Sequence, residues 1–107
     1  MKLKGVGTNG GTATGPVRVL SDPHAESSIT QGAIIVTEAA IPEMMPSLSK
    51  AAAIVTDYAS VTSHPALVAR ELGIPAVVNT VEATNILAER QIVTVDGDEG
   101  VVVVDDD

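Results

Sequence analysis

Two short apolar runs bounded by breakers do most to restrict the fold: Gly32-Ala33-Ile34-Ile35-Val36-Thr37 and Ala51-Ala52-Ala53-Ile54-Val55-Thr56-Asp57. Neither alternates with polar residues, so each reads as a strand covered on both faces, the situation of strands in a parallel sheet flanked by helices. Residues 65–72 supply a helix: Pro65 suits the first position, good helix formers follow, and Gly73 ends it. Gly73 takes the left-handed position after the helix, Ile74 the apolar contact beyond it, and Pro75 forbids continuation. Val77-Val78 is a third apolar run, and residues 82–89 read as a second short helix. Strands over 91–95 and 101–104 are joined by the polar turn Asp96-Gly97-Asp98-Glu99-Gly100. Near the start, Asn9-Gly10-Gly11 and the run Val17-Arg18-Val19-Leu20 suggest a short hairpin. A helical turn is expected over 25–29, and a further helix start at Pro42, with Pro46 early in it or bending it. The pattern predicts one compact α/β domain over 1–107, with more strand than helix.

Size and composition narrow what this domain can do. A chain of 107 residues is expected to expose about 5,600 Å² when folded against about 15,800 Å² unfolded, enough for one modest core. With no Trp, no Phe and a single Tyr, that core is aliphatic, and stacking on nucleic-acid bases is nearly excluded. Fourteen acidic residues against six basic ones leave a net charge of −8, which repels phosphate backbones, so no nucleic-acid partner is expected. The absence of cysteine removes disulfides, thiolate metal sites and cysteine nucleophiles. No apolar run approaches the ~20 residues that cross a bilayer, and residues 1–5 lack a signal peptide's apolar stretch, so a soluble cytoplasmic chain without membrane contact is expected.

The chemistry concentrates between Asp57 and Pro75. There the second buried strand gives way to a loop of small polar residues, Tyr58-Ala59-Ser60-Val61-Thr62-Ser63, and then to His64 at the head of the Pro65 helix. Such a junction presents free backbone N–H groups and the positive end of a helix dipole, which together favour an anion. A cation is disfavoured there by about 0.3–1 kcal/mol, so His64 is expected as the neutral, nucleophilic imidazole. A phosphoryl group on it would meet the helix N–H groups and the hydroxyls of Thr62 and Ser63. Taken singly, His, Thr and Ser at a helix start are most often caps. Ser63 and His64 do not suggest a triad, because adjacent residues seldom reach base-to-nucleophile geometry.

The stretch from Thr56 to Val78, TDYASVTSHPALVARELGIPAVV, resembles the phosphohistidine segment of the mobile, or swivelling, domain of phosphoenolpyruvate-utilising enzymes, the family of pyruvate phosphate dikinase and phosphoenolpyruvate synthase. The likeness continues in Gly10-Gly11-Thr12-Ala13-Thr14-Gly15-Pro16-Val17-Arg18-Val19, in residues 32–37, and in the closing hairpin over 93–101. It implies a β/β/α swivelling fold with His64 as the phosphorylated residue. Ser60, Thr62 and Ser63 become the phosphate-stabilising residues, and Thr62 falls where dikinases carry a regulatory phosphorylation site. The family usually has two glycines where Ala59 and Ser60 stand, and a small residue in place of Pro65. Gly allows closer backbone approach to a phosphate, and Pro removes one N–H donor. The resemblance further implies that His64 shuttles a phosphoryl group between an ATP-grasp nucleotide site and a (β/α)8 barrel that processes pyruvate and phosphoenolpyruvate. ATP and Mg²⁺ are then expected in those partner domains and no cofactor in this one, because a barrel alone needs ~250 residues.

Other polar residues read more plainly. Arg70 has the reach to serve a phosphate from one or two turns along the helix, although an exposed helix Arg is more often solvated or packing. His24 has no partner pattern and reads as a surface residue. Asp96, Asp98 and Glu99 lack the spacing of a calcium loop and read as a turn. Met44 and Met45 suit core filling or the docking of a partner domain, core filling being the more frequent use. Three functional readings follow: a phosphoryl carrier that cannot complete turnover alone, a module that has lost phosphotransfer and only binds, and a carrier serving an acceptor other than pyruvate.

Overall fold

A computed structural model describes residues 2–19, 32–38, 50–58, 64–88 and 90–104. Within them lie strands β1 (Lys2–Lys4), β2 (Val6–Asn9), β3 (Thr12–Val19), β4 (Ile34–Thr37) and β5 (Ala53–Thr56), helix α1 (His64–Leu72), β6 (Ala76–Val78), helix α2 (Ala83–Ile86), β7 (Ile92–Asp96) and β8 (Val101–Val104). The strands form one sheet in the order β1-β8-β7-β3-β4-β5-β6-β2. From β3 through β6 neighbours run parallel, and every other pairing is antiparallel. The two apolar runs become β4 and β5, adjacent, parallel and buried at every position. Among the described residues the expected α/β arrangement with more strand than helix is what forms.

β1 and β2 stand at opposite ends of the strand order although only Gly5 separates them in the chain. One extended segment therefore belongs to both ends of the sheet, and the sheet closes on itself. Gly5 marks the crossing: its N–H donates to the Gly100 carbonyl at 2.8 Å. A Cβ at this position would collide with the Val78 carbonyl oxygen. β3 is the other shared strand. Its residues from Thr12 to Pro16 pair with β7, and those from Val17 to Val19 pair with β4.

Alternation along each strand sorts the side chains. Ile34, Val36, Ala53, Val55, Val77 and Val93 fill the interior, joined by Ala83 and Leu87 beside α2. Ile35 and Ile54, also fully buried, point to the opposite face, where α1 packs across β2, β5 and β6 and buries Ala69. The chain exposes 5241 Å², near the size-based expectation. Among the described residues no helix is long and apolar enough to cross a membrane.

The structure corrects two expectations. Asn9-Gly10-Gly11 does not close a hairpin, because β2 pairs with β6 while β3 pairs with β7 and β4. Residues 10 and 11 instead pass over the β7–β8 turn, where the Gly97 N–H donates to the Gly11 carbonyl at 2.8 Å and the Gly11 N–H to Asp98 Oδ2 at 3.2 Å. The helix expected over 82–89 is a single turn, since Leu87 is already extended with ψ 136. The helical segments expected at 25–29 and after Pro42 lie outside the described residues, as do His24, Met44 and Met45.

Candidate functional site

The parallel strands end together, and backbone bonds carry their pairing one residue further. The Asp57 N–H donates to the Thr37 carbonyl at 3.1 Å, and the Tyr58 N–H to the Glu38 carbonyl at 2.9 Å. On the other side the Thr56 carbonyl accepts from the Thr80 N–H at 3.1 Å and from the Thr80 hydroxyl at 2.9 Å. The Asp57 carbonyl accepts from the Val81 N–H at 2.9 Å. The strand ends thus form a platform bonded side by side at this end of the sheet.

Asp57 is 2% exposed, and its carboxylate is committed. One oxygen accepts from the Thr84 N–H at 3.0 Å, and the other from the Thr84 hydroxyl in a short bond. Glu82, at the N-cap of α2, makes no capping bond with its own side chain, so Asp57 caps that helix from the end of β5. Thr56, fully buried, finds no partner for its hydroxyl among the described residues. Two residues after β6 take left-handed backbone: Asn79 at φ 58 and Val81 at φ 74. Asn tolerates that region. A β-branched residue there stores strain of about 1–3 kcal/mol.

α1 starts at His64, at the head of the helix as the sequence predicts. No acidic residue stands in its first turn, and Arg70 lies in its last. An anion at the N-terminal end therefore meets no like charge from that turn, while Arg70 complements the opposite pole of the dipole. Arg70 is exposed and sits about 9 Å along the axis from His64. Ser60, Thr62 and Ser63, like Ala59, lie outside the described residues.

The far end of α1 is fastened twice. The Ile74 N–H donates to the Ala69 carbonyl at 3.0 Å and the Gly73 N–H to the Arg70 carbonyl at 3.3 Å, with Gly73 at φ 72. This is the double bond pattern of a Schellman stop, as the Gly73-Ile74-Pro75 sequence predicts. The second fastening is Asn9, whose Nδ2 donates to the Ile74 carbonyl at 2.7 Å and the Ala69 carbonyl at 3.3 Å. Nothing in the local sequence links Asn9 to a helix sixty residues away. Its only local signal, a turn-forming Asn-Gly pair, points elsewhere. In the β7–β8 turn Asp96 Oδ1 accepts from the Asp98 and Glu99 N–H groups at 3.0 and 3.1 Å, which is turn chemistry, as expected.

A mixed sheet whose two ends are joined by one segment, a platform at the ends of its parallel strands and a helix opened by a histidine define a small α/β domain. Residues 29–100 match the model of the family described as PEP-utilising enzyme, mobile domain, and the chain belongs to that family. It is 48% identical over 100 residues to the phosphoenolpyruvate synthase of Pyrococcus furiosus and 46% identical over 101 residues to that of Aeropyrum pernix. Each alignment covers 94% of this chain and 12% of the synthase. In a solution structure of an Enzyme I protein the same fold recurs with a TM-score of 0.67 and 30% identity, over 78% of this chain and 34% of that one. In these relatives the equivalent segment is one part of a larger protein.

Proposed function

We propose that the chain is the phosphoryl carrier of a phosphoenolpyruvate-utilising phosphotransferase, with His64 as the residue that is transiently phosphorylated. One placement supports this reading most directly: His64 is the first residue of α1, inside the segment that matches the mobile-domain family. The lone pair of its Nε2 attacks phosphorus, and the P–N bond forms as the bond from phosphorus to the donor oxygen breaks. When phosphoenolpyruvate is the donor, the leaving group is the enolate of pyruvate, which takes up a proton; the reverse sequence returns the phosphoryl group. The anion so formed on His64 lies at the positive end of α1, with the hydroxyls of Ser60, Thr62 and Ser63 as donors. Thr62 is also the residue through which phosphorylation would regulate the loop. An ATP-grasp partner and a (β/α)8-barrel partner provide the two ends of the transfer, and ATP and Mg²⁺ belong to them.

The test is transfer from phosphoenolpyruvate and Mg²⁺, with a family barrel partner, read by intact mass and ³¹P NMR. The wild-type domain is expected to gain one acid-labile, base-stable phosphate on Nε2, and His64→Ala none. An acid-stable phosphate on Thr62 alone, or equal labelling of His64→Ala, overturns the reading.

A further inference from the structure

Two exposed apolar side chains stand where the parallel strands run out. Tyr58 is 56% exposed and Val81 49%, and a single peptide group ties them together. Its N–H, from Tyr58, donates to Glu38, and its carbonyl, from Asp57, accepts from Val81, both at 2.9 Å. Neither side chain serves the core. Val81 holds its side chain in solvent from a backbone at φ 74, where Gly or Asn sits with less strain. A folding requirement would select a different residue at this position. Glu38, whose carbonyl accepts from Tyr58, and Glu82, next to Val81 in the chain, are both exposed.

We propose that Tyr58 and Val81, rimmed by Glu38 and Glu82, form the docking surface for the catalytic partner that exchanges the phosphoryl group with His64. The occupant is a protein surface with an apolar centre and a basic rim. The proposal rests on the carrier reading above and names the contact through which it operates. α1, which His64 opens, packs against β5 and β6, the strands that Tyr58 and Val81 follow, so a partner that engages the histidine approaches the same part of the molecule. Any site that receives phosphate anions carries cations, and the two glutamates on a chain of net charge −8 complement such a rim and speed encounter. The backbone bonds pre-set the surface, which reduces the ordering cost of docking. Leu67, three residues past His64 on α1, is a further exposed apolar residue at 50%. Exposed apolar residues with a polar border are the usual mark of a protein contact, and Tyr is favoured at such centres.

The experiment compares wild type with Tyr58→Ser, Val81→Asn and the double variant, labelled by two donors. One donor is phosphoenolpyruvate with Mg²⁺ and the barrel partner. The other is phosphoramidate, a small reagent that places its phosphoryl group on imidazole, releases ammonia and needs no docking. The double variant is expected to lose at least tenfold in kcat/KM with the protein partner while phosphoramidate labels it at the wild-type rate. Val81→Asn is also expected to unfold at or above the wild-type temperature, so slower transfer is not lost folding. Equal kcat/KM in wild type and double variant overturns the surface and leaves the carrier reading intact. A wild-type His64 that accepts phosphate from phosphoramidate but not from the partner likewise overturns the surface. One that accepts it from neither overturns the carrier reading itself.

Discussion

Asp57 takes a carboxylate to 2% exposure, and among the described residues the fold answers with the Thr84 N–H and hydroxyl as donors. A buried acceptor left short of a partner loses its hydration without compensation, at about 1–3 kcal/mol. Thr84→Val keeps the shape and the backbone bond but removes the hydroxyl, so it is expected to destabilise the domain by that amount, measured as a shift of the urea midpoint at constant slope. A change below about 0.5 kcal/mol would show that the hydroxyl bond contributes nothing net. Adding Asp57→Asn removes the charge, and the two substitutions together are expected to cost less than the sum of the singles. At this scale the sequence was legible for His64, which lies next to the helix start signals, and for Asp96, which bonds its own turn. Asp57 read only as the end of an apolar run. Its partner lies 27 residues on, and no local pattern announces a helix capped from another strand.

Elements with their own punctuation could be read in advance. β4 and β5 declare themselves as unbroken apolar runs, α1 by Pro65 and Gly73, and the β7–β8 hairpin by Asp96-Gly97-Asp98-Glu99-Gly100. β1 and β2 could not, because Lys2–Lys4 is exposed, buried, exposed and Val6–Asn9 is exposed or half-buried throughout. Their partners are β8 and β6, so their strand character comes from distant neighbours rather than from pattern. The hairpin expected at Asn9-Gly10-Gly11 fails for the same reason: Asn9 is held by the end of α1. Asn9→Ala leaves the Ile74 carbonyl without its 2.7 Å donor and is expected to cost about 1–2 kcal/mol. Because the loss falls on the helix headed by His64, amide exchange in α1 is expected to accelerate more than exchange in β7 and β8. Uniform acceleration across all three would instead mean that Asn9 acts only on global stability.

Across the whole molecule, closure of the sheet is what makes a rigid base from short strands. β1 and β2 pair with β8 and β6 at the two ends of the strand order, and one continuous segment through Gly5 carries both, so the ends are joined through the chain itself. That arrangement passes through Gly5, where the N–H bonds to Gly100 and the space a side chain would need is filled by the Val78 carbonyl, Val77 Cγ1 and Thr80 Cγ2. The Val78 oxygen is backbone and cannot rotate away, so relief of a Cβ requires the crossing itself to widen. Gly5→Ala is therefore expected to destabilise by about 2 kcal/mol, the range of overpacked cores, and to lower Tm by roughly 10 °C for a domain of this size. The damage should be local in origin: β1, β2 and the strands they pair with, β8 and β6, lose amide protection first, while the β4–β5 pair keeps it longest. Thr80 stands both at this crossing and on the platform, through its bonds to the Thr56 carbonyl, so a widened crossing also loosens the end of β5, from which the chain runs on to His64. Partner-dependent phosphorylation of Gly5→Ala is then expected to fall more steeply on warming than that of wild type. A wild-type Tm in Gly5→Ala would show that the crossing has room to spare and that closure depends on other residues.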